Sequence, residues 1–206
     1  MELRFVSLNI ERDRHFDRVV PFIQREMPDV LDGQELREPD IPRILAAFPD
    51  AAYQFTPSIR HPSDGFSAII GEAIFSRLPI RERFSRYYVG EAREVPREEL
   101  PLKQGNRACT VCDVEKNNDT FRILTTHFTW TPDGEPNELQ RTDMPRLLEV
   151  LTSLGECVIA GDFNAPRGGE MFAMLAARYT DNIPAEYKTS IDVTLHRAGK
   201  DRPEEL

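Results

Sequence analysis

Apolar residues in the first quarter of the chain recur first at strand spacing and then at helical spacing. Residues 3–9 are a short, mostly apolar run that predicts a strand, and residues 29–35 predict a short second strand. Residues 14–27 and 39–48 place apolar side chains three and four positions apart, which predicts two amphipathic helices. This strand–helix–strand–helix order is typical of the opening of a layered α/β fold.

The middle of the chain predicts mostly strands. We expect them at the following residues: 51–56, 66–70, 72–76, 80–89, 107–115 and 120–128. The two short runs on either side of Gly71 are expected to form a hairpin, and residues 116–119 are expected to turn a second one. Residues 91–105 are polar and contain two prolines, so they predict a long surface loop.

The last third of the chain predicts two helices around a buried strand. The helices are expected at residues 137–154 and 170–179, and the strand at residues 156–161. Pro145 falls inside the first of these helices and implies a kink or a later start. With the rest of the chain, the pattern predicts a single domain of residues 1–206, an α/β fold in which two packed sheets are flanked by helices.

The composition narrows the range of partners. The 206 residues include 35 acidic and 26 basic side chains, which gives a formal net charge of −9. Because an acidic surface repels nucleic-acid phosphates at long range, a scaffold that coats DNA or RNA is disfavoured. A small phosphate pocket in which a metal supplies positive charge is not excluded. The sequence shows neither an apolar run of roughly 18 residues nor a signal peptide, so it predicts a cytoplasmic protein without a membrane span, and no obligate protein partner is evident.

Two of the three cysteines, Cys109 and Cys112, have the spacing of some metal and redox motifs. The pair lies in a predicted strand, where a separation of three residues places side chains on opposite faces. The sequence therefore predicts reduced thiols and not a zinc knuckle or a redox pair.

Four of the predicted strands end in polar residues that could bind metal or phosphate. Asn9 ends the first strand, Glu35 ends the second, His127 follows another, and residues 161–164 (Gly-Asp-Phe-Asn) follow a buried apolar run. Ligands in layered α/β folds gather where strands meet the loops that leave them. Strands of a common sheet could therefore bring these groups into one cleft.

The side chains at these strand ends suit a divalent metal. Glu35 and Asp162 offer hard oxygen ligands and Asn9 a carbonyl oxygen, a set that favours Mg²⁺ or Mn²⁺ over structural zinc. His127 could donate a hydrogen bond to a phosphate, while Asp162 and Asn164 could orient water and phosphate. The same residue types are common in turns and at solvated strand ends, so a structural interpretation stays open.

Taken in order, these motifs resemble those of the endonuclease/exonuclease/phosphatase superfamily. The matching pieces are Ser7-Leu8-Asn9, Gln34-Glu35, residues 71–80, Thr126-His127 and Gly161-Asp162-Phe163-Asn164. The resemblance implies a four-layered α/β sandwich and a Mg²⁺-dependent hydrolase that cleaves a phosphodiester or phosphomonoester through attack by water.

The resemblance also implies roles for individual residues. The metal site would contain Asn9, Glu35 and Asp162, and the phosphate-binding and water-activating group would contain His127, Asp162 and Asn164. Arg107 lies where some members place a phosphate-contacting arginine, so Arg107 and Asn164 are expected to bind substrate.

A late Ser-Asp-His motif of the family has no counterpart in this sequence. Asp192 lies in a similar Ile-Asp pair, but no strand is predicted after it, and His196 is expected to be a surface histidine. We therefore expect either a chain that lacks the final strands or a degenerate member. In both cases the rate should be several orders of magnitude lower than that of a complete member, a loss that could leave this form inactive, since general acid–base groups supply about 10²–10⁴-fold. Three hypotheses remain: a hydrolase, a non-catalytic interaction module on the same scaffold, and an unrelated α/β domain whose polar strand ends are only turns.

The motifs do not specify the substrate, because the superfamily uses nearly the same core on DNA, RNA, inositol phosphates and phospholipids. Specificity is expected in the loops at residues 60–65 and 91–105. The acidic balance favours a small or single-ended phosphoester over long duplex DNA.

Overall fold

The structure, a computed structural model, describes residues 2–63, 66–97, 105–132, 134–187, 189–192 and 194–196. Along the chain its elements are β1 (Phe5–Asn9), α1 (Phe16–Glu26), β2 (Val30–Arg37), a short 3-10 helix (Glu38–Asp40), α2 (Ile41–Ala47), β3 (Ala52–Ser63), β4 (Phe66–Ser76), β5 (Ile80–Val89), β6 (Arg107–Lys116), β7 (Asp119–His127), α3 (Glu138–Leu154), β8 (Val158–Asp162) and α4 (Glu170–Ala176). The strands form two sheets, in the orders β1-β2-β4-β3 and β5-β6-β7-β8. The pairs β1–β2 and β7–β8 are parallel, and the other pairs are antiparallel.

The helices α1 and α2 cover the outer face of the first sheet. Their apolar side chains, including Ile23 and Ile44, pack against Leu36 and Phe75 of the sheet in one buried cluster. The helix α1 ends where its apolar pattern ends, because Met27 adopts the left-handed conformation with φ of 42° and closes the last turn onto the carbonyl oxygen of Ile23.

The helices α3 and α4 cover the second sheet in the same way. Leu147 and Leu151 of α3 and Met171 of α4 pack against buried side chains of β6 and β7. The side chain of Asn137 caps α3 by accepting from the backbone N–H of Gln140 at 3.0 Å. The helix therefore begins at Glu138 and continues through Pro145, so the later start suggested by the proline is wrong.

The faces that the two sheets turn toward each other combine apolar and hydroxyl side chains. The apolar cluster between the sheets consists of Val30, Ile74, Cys112, Val114 and Ile123. Beside it, the hydroxyl of Thr110 donates to Thr56 at 2.6 Å, so buried polar groups on opposing sheets satisfy each other. The order helix, sheet, sheet, helix confirms the predicted four-layered α/β sandwich.

Gly71 does not form the predicted hairpin. The strand β4 runs without a break from Phe66 to Ser76 and pairs with β3, which extends to Ser63. A Cβ atom at position 71 would clash with the carbonyl oxygen of Thr56, so this glycine permits close strand pairing. The extension of β3 also overturns the loop expected from residue 60 onward, of which residues 64–65 lie outside the described residues.

The predicted loop at residues 91–105 is only partly described, since residues 98–104 lie outside the described ranges. In the remainder, Asn106 donates through Nδ2 to the carbonyl oxygens of Glu91 and Glu94, each at 2.7 Å. Within its described residues the segment forms isolated bridges, one of them between Arg60 and Arg97, in place of a regular strand.

The strand expected to be buried at residues 156–161 is exposed in part. It runs from Val158 to Asp162, and Val158 retains 48% of its accessible surface. The reason is topological, because β8 is the last strand in the order of its sheet and has a neighbour on one side only within the described chain.

Cys109 and Cys112 lie in different clusters, as their opposite-face placement predicts. Cys109 packs toward α3, and Cys112 lies between the sheets. Neither forms a disulfide, and burial raises the pKa of the Cys112 thiol to about 12. Among the residues that the structure describes, no helix is both long and apolar enough to cross a membrane.

Candidate active site

Asn9, Glu35 and Asp162 converge on one point where the two sheets meet. The side-chain nitrogen of Asn9 donates to Oε1 of Glu35 at 3.3 Å and to Oδ2 of Asp162 at 2.9 Å. The side-chain oxygen of Asn9, Oδ1, accepts a hydrogen bond from the backbone N–H of Glu11 at 3.0 Å. Because Asn9 and Asp162 are 153 positions apart, this contact depends on the tertiary fold and disfavours the hypothesis of unrelated turns.

A bulge in β2 directs Glu35 to this point. The register of β2 against β4 shifts between Gly33 and Leu36, and Glu35 has φ of 56°. A residue with a Cβ adopts this left-handed conformation at a cost of about 1–2 kcal/mol. The neighbouring Gln34 donates to Thr125 between the sheets at 2.9 Å, so the bulge lets Glu35 reach the site while Gln34 faces the core.

The turn after β8 presents Asp162. Oδ1 of Asp162 accepts from the backbone N–H of Asn164 at 3.0 Å, which leaves Oδ2 directed at Asn9. The preceding Gly161 has φ of 132°, and a Cβ atom there would clash with the carbonyl oxygen of Thr126 in β7. A glycine is therefore needed at this position for β8 to pair closely with β7.

Asn164 joins two loops at the edge of the site. It has φ of 44°, and its Nδ2 donates to the carbonyl oxygen of Phe128 at 2.9 Å. Its own carbonyl oxygen accepts from Nε2 of Gln140 in α3 at 3.0 Å. These bonds hold the loop after β8 against the loop after β7, with Asn164 next to Asp162.

His127 ends β7 directly beside Asp162, its register partner in β8. Its Nε2 lies 3.8 Å from Oδ2 of Asp162, and its Nδ1 lies 4.0 Å from Oε1 of Glu72. Burial lowers the pKa of His127, and this effect outweighs the attraction of Asp162 for a protonated ring. The imidazole is therefore neutral at neutral pH and can donate from one nitrogen while accepting at the other.

Glu72 is a buried carboxylate that the sequence motifs did not identify. Ser58 donates to its Oε2 at 2.7 Å, and burial raises the pKa of Glu72 to about 7. The available sequence signal was an acidic residue inside the otherwise apolar run of β4. An interior carboxylate is costly to retain unless it has a partner. Here Ser58 donates a hydrogen bond to Glu72, and the positive charge of Arg107 favours its ionised form.

Arg107 lies buried under His127 at the start of β6. Its Nη1 donates to the carbonyl oxygen of His127 at 3.0 Å. Its buried Nε has no hydrogen-bond partner among the described residues. Its positive charge opposes protonation of His127 and favours ionisation of Glu72, which couples the three side chains.

The chemistry of these donors fits a magnesium ion. Mg²⁺ in proteins is bound through one or two carboxylates and keeps several waters. Glu35 and Asp162 supply two carboxylates directed at one point, which the amide group of Asn9 now bridges. Among the described residues, no group of three or more His, Cys, Asp and Glu side chains is arranged to hold a metal ion, so the remaining ligands would be water and Oδ1 of Asn9. To bind the ion, the amide of Asn9 would have to turn, because its Nδ2 now faces the two carboxylates and its Oδ1 accepts from Glu11.

A cavity of about 590 Å³ lies beside Asn164. It is bounded by the loop after β8, the start of α4 and the connection that leads into α3. Its charged lining residues are Glu135, Arg141, Arg167 and Glu170. The cavity could hold the part of a ligand that lies beyond Asn164.

Asp192 lies outside this convergence. Its carboxylate accepts from the backbone N–H and the hydroxyl of Thr194 at 2.9 and 2.7 Å, within its own turn. These bonds lower the pKa of Asp192, and the residue is exposed.

Comparison with known proteins agrees with the fold and with the order of the motifs. A sequence profile described as the Endonuclease/Exonuclease/phosphatase family matches residues 6–201. No curated protein sequence matches the chain.

Solved structures share the fold at low sequence identity. A mannosyl-6-phosphatase from Bacteroides thetaiotaomicron VPI-5482 is 14% identical with a TM-score of 0.63, and the match covers 85% of this chain and 70% of that one. The human Nocturnin catalytic domain with bound sulfate is 16% identical with a TM-score of 0.66, and the match covers 85% and 69%. An endonuclease/exonuclease/phosphatase from Bacteroides vulgatus is 16% identical with a TM-score of 0.62, covering 85% and 70%.

Identities this low show a common fold, whereas the profile match extends over nearly the whole chain and includes every motif at the convergence point. The chain belongs to the endonuclease/exonuclease/phosphatase family.

Proposed function

We propose that this protein hydrolyses a phosphoester with the help of a bound divalent ion, Mg²⁺ or Mn²⁺. The observation that carries the proposal is the convergence of Glu35 and Asp162, from different sheets, on the amide of Asn9. Membership of the family and the likeness to a phosphatase structure support a phosphoester as the substrate class.

In this proposal Glu35, Asn9 and Asp162 hold the ion. When bound, such an ion would polarise a phosphoryl oxygen and stabilise the charge that develops during attack by water. It would also offset the mutual repulsion of two carboxylates and an incoming phosphate.

The remaining side chains bind and orient. Asp162 retains 30% of its side-chain surface, so its carboxylate can orient the attacking water beside the ion. The neutral ring of His127 can donate one hydrogen bond to a phosphate oxygen. Asn164 fixes the loop that follows Asp162, and Arg107 fixes the strand end that carries His127. In this proposal Asn164 and Arg107 also bind the substrate.

Hydrolysis of p-nitrophenyl phosphate and bis(p-nitrophenyl) phosphate with and without Mg²⁺ or Mn²⁺ tests the proposal. We expect metal-dependent release of nitrophenol from at least one ester. Glu35→Gln and Asp162→Asn should each lower kcat/KM by at least about 10²-fold, the contribution of a positioned acid–base or metal-binding group. Both substitutions preserve side-chain size, so the folded structure should survive.

Glu149→Gln is the matched control, because Glu149 is exposed on α3 and its replacement should leave the rate unchanged. Absence of metal-dependent hydrolysis of either ester would reject the enzymatic proposal. If the protein then bound metal and phosphate through the same residues, it would instead be a binding module on this scaffold. Full activity in Glu35→Gln and Asp162→Asn would reject the assignment of the site.

A further inference from the structure

The cation Arg12 lies on the opposite side of Glu35 from the convergence at Asn9. Oε1 of Glu35 accepts from Asn9, whereas Oε2 lies 3.8 Å from Nε of Arg12. The two oxygens of this carboxylate therefore face two different groups. Arg12 therefore neighbours Glu35, one of the proposed metal ligands, and takes no part in the contact between Asn9 and Asp162.

Two separate elements position Arg12: one contacts its guanidinium, and the other holds its backbone. Nη1 of Arg12 lies 2.9 Å from Nε2 of His61, which belongs to β3. Arginine can only donate, so His61 accepts through Nε2. The other support is the connection between β1 and α1, in which the backbone N–H of Glu11 donates to Asn9 at 3.0 Å.

The backbone of this connection is strained. Glu11 has φ of 47° and Arg12 has φ of 65°, two consecutive left-handed residues that carry a Cβ atom. Such conformations persist only where the surrounding structure enforces them, and they cluster at functional sites. Nε2 of His15, 3.2 Å from Oε2 of Glu11, closes the loop from its other side.

The guanidinium of Arg12 is accessible, because 29% of its side-chain surface is exposed, whereas Arg107 is buried against His127. A guanidinium has five N–H donors in a planar fork. Within the part of the chain that the structure describes, Arg12 contacts His61 through Nη1 and Glu35 through Nε. The fork therefore has further donors for phosphate oxygens, which it matches in geometry.

We propose that Arg12, supported by His61, binds a second anionic group of the substrate, a phosphate next to the one that is hydrolysed. This inference rests on the proposed function, since it takes the reacting phosphate to lie at Asp162 and His127. The substrate class is then a phosphoester with a neighbouring phosphate, as in a short oligonucleotide or a small bisphosphate.

Binding of two non-hydrolysable ligands tests the subsite: propylphosphonate carries one anionic group and propane-1,3-diylbisphosphonate carries two. By calorimetric titration in Mg²⁺, we expect the unmodified protein to bind the second ligand about tenfold more tightly, the effect of one charge-assisted contact. Arg12→Gln should reduce this preference to about twofold or less.

Arg14→Gln is the matched control. Arg14 belongs to the same loop, its side chain is 57% exposed, and it pairs with Glu11 at 3.7 Å. Its replacement removes the same positive charge and should leave the preference for the bisphosphonate intact. The reason is that this preference depends on direct contact with Arg12 and not on the net charge. A second variant, His61→Ala, should lower the preference at least about threefold by removing the support of Arg12. The proposal would be overturned if Arg12→Gln lowered the affinity for both ligands equally. It would also be overturned if Arg14→Gln reduced the preference for the bisphosphonate as much as Arg12→Gln does.

The outcomes separate this inference from the proposed function. If the nitrophenyl esters are hydrolysed but the preference does not depend on Arg12, only the subsite is rejected. If the preference depends on Arg12 and no ester is hydrolysed, the enzymatic proposal is rejected and the anion subsite stands. A thymidine trinucleotide carries one phosphate more than the dinucleotide. If it binds more tightly, and Arg12→Gln removes the difference, a nucleic-acid strand is the source of the second phosphate. Equal binding of the two excludes a strand and leaves a small bisphosphate.

Discussion

At the scale of the residue, the site depends on carboxylates held in conformations or surroundings that cost free energy. Glu35 takes a left-handed conformation within a bulge, and Glu72 is buried beside His127. Asp32 is completely buried between the sheets: its Oδ1 accepts from Gln34 at 2.7 Å, and its Oδ2 has no hydrogen-bond partner among the described residues. Burial raises the pKa of Asp32 from 3.8 to about 7.

This shift makes a prediction about stability and pH. Since the pKa of Asp32 is raised on folding, this carboxyl group holds its proton in the folded protein and releases it in the unfolded chain between pH 3.8 and about 7. The contribution of Asp32 to the free energy of unfolding should therefore fall by up to about 4 kcal/mol as pH rises through that interval and level off above it. Asp32→Asn cannot ionise and keeps an acceptor for Gln34, so relative to the unmodified protein it should gain at least about 1 kcal/mol more at pH 8 than at pH 5.

Urea unfolding at several pH values measures this difference directly. The exposed Glu149→Gln serves as the control, because its stability curve should run parallel to that of the unmodified protein. Parallel curves for Asp32→Asn as well would contradict the raised pKa of Asp32.

At the scale of the element, strand pairing sets the spacing of the site. In the parallel pair β7–β8, His127 lies opposite Asp162 and Thr126 lies opposite Gly161. The close approach at Gly161 fixes the end of β8, and Asp162 is the next residue along the chain. A shift of β8 would therefore move Asp162 away from both His127 and Asn9.

Gly161→Ala tests this dependence. The added Cβ atom would clash with the carbonyl oxygen of Thr126, so we expect a loss of at least about 2 kcal/mol in the free energy of unfolding, together with lower phosphoesterase activity. Gly155→Ala is the matched control: Gly155 has φ of 74°, but an added Cβ atom there meets nothing within 4 Å. Because its ψ is −149°, a combination with positive φ that is essentially restricted to glycine, Gly155→Ala should cost about 1–3 kcal/mol through backbone strain alone and leave activity unchanged. Equal losses of activity in both variants would contradict the role of the β7–β8 contact.

The elements that the sequence predicted well are those governed by local patterns. The helix α1 and the strand β1 follow their apolar period and are limited by residues such as Met27 and Asn9. The hairpin predicted at Gly71 is wrong, because glycine occurs both in turns and where two strands approach closely. Only the contact with Thr56 of the neighbouring strand distinguishes the two cases.

The candidate site was predictable to the extent that each group follows a strand. Asn9, His127 and Asp162 lie at strand ends, where the motif order placed them. The bulge at Glu35 and the burial of Glu72 depend on the register of β2 against β4 and on the packing of the second sheet. These are tertiary facts that no local pattern contains.

At the scale of the whole molecule, the site exists only where the two sheets meet. The first sheet supplies Asn9 and Glu35, and the second supplies His127 and Asp162. The protein carries a net charge of −9, so its overall field opposes the approach of a phosphate. A divalent ion between the sheets would reverse that field locally, so the proposed function depends on metal binding at this point.

Crystals grown with Mn²⁺ test this claim most directly, because the anomalous scattering of manganese locates the ion independently of activity. We expect an anomalous peak that places the ion about 2.0–2.3 Å from a carboxylate oxygen of Glu35 and adjacent to Asn9 and Asp162. Loss of this peak in Glu35→Gln crystals would support the assignment. A manganese site elsewhere, with none at Glu35 and Asp162, would contradict it.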